Sequence, residues 1–94
     1  MVKIGGRRID IGDLAARLRG VPGVDDAWAA ASNEEEPIIG AVLITKRALT
    51  EIKADVRNML PAWKLPKKWA TIVAWPMTAR GKTDQRALRA LLFS

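Results

Sequence analysis

The chain has 94 residues, with neither cysteine nor histidine, which excludes disulfides, thiolate chemistry and the commonest general base and transition-metal ligand. Hydrophobic residues make up 49%, enough for one small domain with a single modest core. Sixteen Lys and Arg against ten Asp and Glu leave a charge of +6, which favours anionic partners such as nucleic acid, phosphorylated small molecules or an acidic protein face.

Residues 2–11, "VKIGGRRIDI", read as two very short strands around a glycine pair, the pattern of a tight hairpin. Residues 12–19 read as a helix, with Ile11, Leu14 and Leu18 on one face and Gly20 and Pro22 as its stop. Residues 24–31 are assigned to a strand, because a helix has just ended at "GVPG". Residues 38–45, "IIGAVLIT", form a continuous apolar run typical of a buried strand. The intervening "SNEEEP" suits a solvated hairpin connection.

Residues 49–60 read as a helix with Ile52, Val56, Met59 and Leu60 as its apolar stripe, ended by Pro61. "PAWKLPKK" is expected to be irregular, and residues 69–75, "WATIVAW", to form a third, central strand. A last helix is expected over 84–92, capped by Asp84, with Leu88, Leu91 and Leu92 inward. The sum is an α+β fold: a small three-stranded sheet with about three helices packed on it and a short N-terminal β-hairpin. Trp28, Trp69 and Trp75 fall in expected strands and suit core packing, whereas Trp63 could stack on a base or adenine ring, with a plug at the joint between helix and strand as the preferred reading.

Chemistry is sparse. No metal-ligand cluster exists, and no nucleophile–base pair assembles without His or Cys. The "GG" at 5–6 lacks the G-x-G-x-x-G spacing, and "RGKT" fails as a P-loop because Pro76 stands where its first glycine belongs. Two glycine-bearing loops with cations remain, "GGRR" with Arg7 and Arg8, and "ARGK" with Lys82. Lys82 sits beside Gly81 and just ahead of a helix start, where the helix dipole disfavours a cation. Such a lysine either points into water or is delivered to something anionic. Neither loop is a complete active site, which suggests a part that completes another domain's site.

"VKIGGRRIDIGDL" resembles the eighth core motif of adenylate-forming enzymes, V-K-I-x-G-x-R-I-E-x-G-E-I. "PMTARGKTDQRAL" resembles their tenth, P-x-T-x-x-G-K-x-x-R-x-x-L. "LRGVPGVDDAWA" and "LPAWKLPKKW" match the segments between them, in order, so the resemblance covers nearly the whole chain. It is to the C-terminal lid domain of the superfamily of acyl-CoA synthetases, peptide-synthetase adenylation domains and luciferases.

That resemblance implies a two-step ligase of the acyl-CoA synthetase type. A carboxylate and ATP, with magnesium, give an acyl-adenylate, and the thiol of coenzyme A or a phosphopantetheine carrier protein then displaces AMP. It implies that the lid rotates between the steps. Lys82 would be the adenylation lysine, with Gly81 letting its loop approach closely. Gly5 and Gly6 would border the pantetheine path, Arg8 would meet phosphate near the cleft, and Arg57 would contact the nucleotide phosphate of coenzyme A. The required partner is a large N-terminal adenylation domain, and the lid alone is expected to be inactive.

The chain departs from the pattern at Gln85, where many members are basic, with Arg86 one place later, and at Asp10 and Asp13, which replace glutamates. The family hinge residue would fall at or before Met1, so an excised domain is expected over a free-standing complementing lid subunit. The competing reading is a small basic nucleic-acid-binding module resting on "KLPKKW" and the arginines. It has no recognisable nucleic-acid fold motif behind it, so no DNA or RNA partner is expected. No apolar run can span a bilayer and "MVKIGGRR" lacks a signal-peptide core, so the expected location is cytoplasmic.

Overall fold

The computed structural model describes residues 2–93, and the hinge position at Met1 lies outside them. The element order is β1 (Val2–Ile4), β2 (Arg7–Ile9), α1 (Ile11–Arg19), β3 (Val24–Ala31), β4 (Ile39–Thr45), α2 (Leu49–Met59), β5 (Lys68–Ile72) and α3 (Gln85–Phe93), with a 3-10 turn at Ala62–Lys64. β1 and β2 form an antiparallel ladder of their own. The other strands form one mixed sheet in the order β3-β4-β5, β4 being antiparallel to β3 and parallel to β5. The α+β architecture anticipated from the chain is therefore present.

Strand alternation sorts the core onto two faces of this sheet. Ala27, Ala29, Ile39, Ala41 and Leu43 face α1, α2 and the β1–β2 hairpin, meeting Leu14, Leu18, Ile52, Val56 and Ile9. Val42 faces α3 and packs with Leu88 and Leu92. β4 is covered on both faces, which is why its sequence is apolar without alternation. Gly40 belongs to the α3 face, where an added Cβ would lie 2.7 Å from Leu92 Cδ1 and 3.0 Å from Phe93 Cζ, so its lack of a side chain lets the end of α3 sit against the sheet.

Local chemistry sets the helix ends. Asp10 caps α1, accepting from the Asp13 N–H at 3.1 Å, and Gly20 closes it. Asp84 caps α3, accepting from the Ala87 N–H at 3.1 Å. α2 has no side-chain cap at Ala48 and leans instead on its buried Ile52 and Val56.

Several expectations are corrected. β5 is an edge strand, not a central one, because β4 occupies the middle. It also stops at Ile72, paired with Ile44 near the end of β4, and Val73 beyond it is 97% exposed. Trp75 therefore lies outside any strand. Leu91 is 53% exposed and Met59 39%; Leu88 and Leu92, four residues apart, already fill the inward stripe of α3, and Phe93 packs beside them. The stretch called irregular contains the 3-10 turn.

Candidate functional site

Lys82 sits on a small closed loop. Met77 and Thr83 form an antiparallel bridge, and the Asp84 N–H donates to the Pro76 carbonyl at 2.7 Å across its base. Inside, the Thr78 N–H donates to the Lys82 carbonyl at 2.7 Å and the Gly81 N–H to the Thr78 carbonyl at 2.9 Å. Thr78 Oγ1 also accepts from the Lys82 N–H at 3.3 Å. Gly81 has φ +81° and open space around its missing Cβ, so the turn itself requires glycine there. The Lys82 side chain is exposed and makes none of the ion pairs among the described residues. Its cationic end is thus free of internal neutralisation.

Gly5 and Gly6 join β1 to β2 with φ of +57° and +79°, and Ile4 pairs with Arg7 around them. Two consecutive left-handed residues make the tight turn that suits strand twist, a geometry nearly closed to side-chain-bearing residues. Arg7 and Arg8 belong to β2 rather than to a loop, which corrects the "GGRR" loop of the sequence. Arg8 is exposed and borders a cavity of about 180 Å³ with Asp10, Asp13, Arg17 and Lys64.

Lys82 and the glycine pair lie at opposite ends of the three-stranded sheet. Gly5 and Arg7 share a cavity of about 340 Å³ with Pro37, Ile39 and Lys67, at the end where Gly40 pairs with Lys68. The Lys82 loop leaves from the other end, where Asp26 pairs with Ile44 and Ile44 with Ile72. Four strand steps separate these levels, about 13 Å. Arg57 is exposed on α2 beside Lys53, Pro66 and Trp69, bordering a cavity whose Leu65 also lines the cavity of Gly5 and Arg7.

Three features escaped the sequence. Trp63, 39% exposed, neither plugs a joint nor offers a bare ring: Arg7 lies 4.8 Å and Lys64 5.3 Å from its centroid. Arg47 ties the turn after α1 to α2, donating to the Pro22 carbonyl at 2.6 Å and to Asp55 Oδ2 at 2.9 Å, and the Asp55 hydrogen bond raises its pKa. Asp26 accepts from Trp75 Nε1 at 2.9 Å, from Arg19 Nε at 3.0 Å and from the Ala27 N–H at 2.8 Å. The Trp75 hydrogen bond, helped by those of Ala27 and Arg19 against the effect of burial, holds the Asp26 carboxyl below the usual range.

No family model matches the chain. It is 33% identical over 91 residues to surfactin synthase subunit 3 of Bacillus subtilis (strain 168), covering 93% of this chain and 7% of that protein. Holo-PA1221, an NRPS protein containing adenylation and PCP domains, superposes with a TM-score of 0.78 at 27% identity, covering 95% of this chain and 15% of that one. A Mycobacterium tuberculosis fatty acyl CoA synthetase gives 0.74 at 25% identity, covering 96% and 19%. The chain spans 7–9% of the length of the first curated relatives it matches. Small shares of large synthetases, matched across nearly all of this chain and with the same fold, identify the chain as a member of the C-terminal lid domains of adenylate-forming enzymes.

Proposed function

We propose that this chain is the mobile lid of an ATP-dependent acid–thiol ligase, with Lys82 as its adenylation lysine. The carrying observation is an exposed, unpaired Lys82 on a loop braced by its own backbone, at the end of the sheet remote from the Gly5–Gly6 turn. In this reading the partner is a large adenylation domain, in the same chain or a separate one, that supplies the nucleotide and acyl pockets. Lys82 Nζ bridges the substrate carboxylate and the ATP phosphate oxygens as negative charge concentrates there. Its loop needs no further ordering to do so, and Gly81 keeps side-chain bulk away from the cleft.

Rotation of the lid then brings the other end of the sheet forward. Gly5 and Gly6 leave a passage for a pantetheine arm, whether it belongs to coenzyme A or to a carrier protein, and Arg8 and Arg57 offer cations to its phosphates. Both acceptor types occur among the proteins the chain resembles, one with a PCP domain and one a fatty acyl CoA synthetase. Among the described residues no group of three or more His, Cys, Asp or Glu could hold a metal ion. No helix among the described residues is long and apolar enough to cross a membrane. The lid alone should show no carboxylate-dependent ATP–pyrophosphate exchange.

The test is Lys82→Ala in the ligase formed with the large domain. Acyl-adenylate formation, followed by pyrophosphate release, should fall by about two to three decades. Thioester formation from supplied acyl-adenylate, followed by thiol consumption, should stay near the parent rate. Equal losses in both steps would overturn the alternation and leave Lys82 a structural role.

A further inference from the structure

We infer that Asp26 is a positioning residue for Lys82, acting through the indole N–H of Trp75; this rests on the reading of Lys82 above. The bond joins residues 49 apart in sequence at 2.9 Å. A bulge makes it possible. The β3–β4 register shifts between Val24 and Asp26, so Val24 packs on the α1 and α2 face while Asp26, two residues on, reaches the α3 face beside Trp28. In a regular strand the two would share a face.

Both carboxylate oxygens are engaged. Oδ1 accepts from Arg19 and the Ala27 N–H, which fixes the carboxylate, and Oδ2 remains for Trp75. Trp75 packs its ring against the cluster of Val42, Leu88 and Leu92 and directly precedes Pro76, the base of the Lys82 loop. The loop is closed on itself, so it moves as one piece and its direction is set at that base. A cavity of about 210 Å³ bordered by Asp26, Trp28, Trp75, Thr83 and Gln85 leaves this flank without close packing. The hydrogen bond is what crosses that gap. Losing it frees the base to tilt and swings Lys82 without unfolding the lid.

The experiment uses the full ligase with Trp75→Phe, which keeps a packed ring and removes the donor, and Asp26→Asn, which keeps an acceptor but loses the charge. Trp75→Phe should lower kcat of acyl-adenylate formation about ten- to a hundredfold, the scale of a misplacement near 1 Å. The KM for ATP and the thioester step from supplied acyl-adenylate should stay unchanged. Asp26→Asn should lose less, because its amide oxygen can still accept, and Asp26→Ala should match Trp75→Phe, with no further loss in the double variant. A parent-like adenylation rate in Trp75→Phe, while Lys82→Ala abolishes adenylation, would overturn the positioning role alone. Equal losses in both half-reactions would overturn it as a loss of fold. If Lys82→Ala leaves adenylation intact, the reading of Lys82 fails first and the positioning role with it.

Discussion

A carboxylate bonded to an indole N–H, a backbone N–H and a guanidinium is held in its ionised form. Asp26 has that set of partners, with the indole foremost, and its pKa is lowered from 3.8. The sign follows: the unfolded chain binds the proton more tightly, so the stabilisation is complete above about pH 5 and is lost as pH falls through 3.8 towards the folded value. Its side chain is 42% exposed, so the contribution is small, about 1 kcal/mol or less. Asp26→Asn should lower the melting temperature by a few degrees near neutral pH, and the gap to the parent should narrow as pH falls below 3.8. A gap that does not vary between these pH values would show that the charge contributes nothing. Residues of this kind were illegible beforehand, because a bulge of one residue decides which face Asp26 takes and leaves no periodic trace. The glycine turn at 5–6 was legible, since the strands on either side leave room only for two left-handed residues.

Periodicity served the elements best where one face is buried. α1 was legible from Leu14 and Leu18 with Asp10 and Gly20 at its ends, and β4 from its unbroken apolar run. It failed where burial depends on how many neighbours an element has. The run 69–75 looks like a full central strand, yet β5 has one partner and ends at Ile72, opposite Ile44 and one residue short of the end of β4, which leaves Val73 bare. Leu91 follows the same logic, since a single helix on that sheet face buries a narrow stripe. Closeness of that helix depends on Gly40. Gly40→Val would force branched carbons against Leu92 and Phe93, and should destabilise the lid by about 1–3 kcal/mol. Chemical denaturation would read this as a lower midpoint at unchanged slope. A parent-like midpoint would mean that α3 moves outward without cost.

At the scale of the molecule, two tight turns sit at opposite ends of one sheet, and each can be perturbed without the other. Replacing Gly6 separates two causes of loss. Leu, Asn and Ala all carry a Cβ at φ +79°, but Asn tolerates that conformation best. If side chains block a thiol path, thioester formation should fall in the order of bulk, Leu most and Ala least, while adenylation stays near the parent rate. Ranking by turn compatibility, with Asn the least impaired, would instead assign Gly6 a structural role. The two-ended arrangement was not legible in the sequence, because no local pattern tells which end of a sheet a loop leaves from.

In the proposed cycle the lid turns between the two steps, and each turn exposes its flanks to other chains. The sheet has two open edges, β3 and β5. The bulge between Val24 and Asp26 breaks the even ladder that a foreign strand would need, and Asp25 and Asp26 set negative charge there. Lys67 and Lys68 do the same with positive charge where β5 begins. Interrupted ladders and charged borders are how proteins keep bare strands from recruiting one another. The irregularity that turns Asp26 towards Trp75 thus also protects the open lid from cross-chain pairing and aggregation.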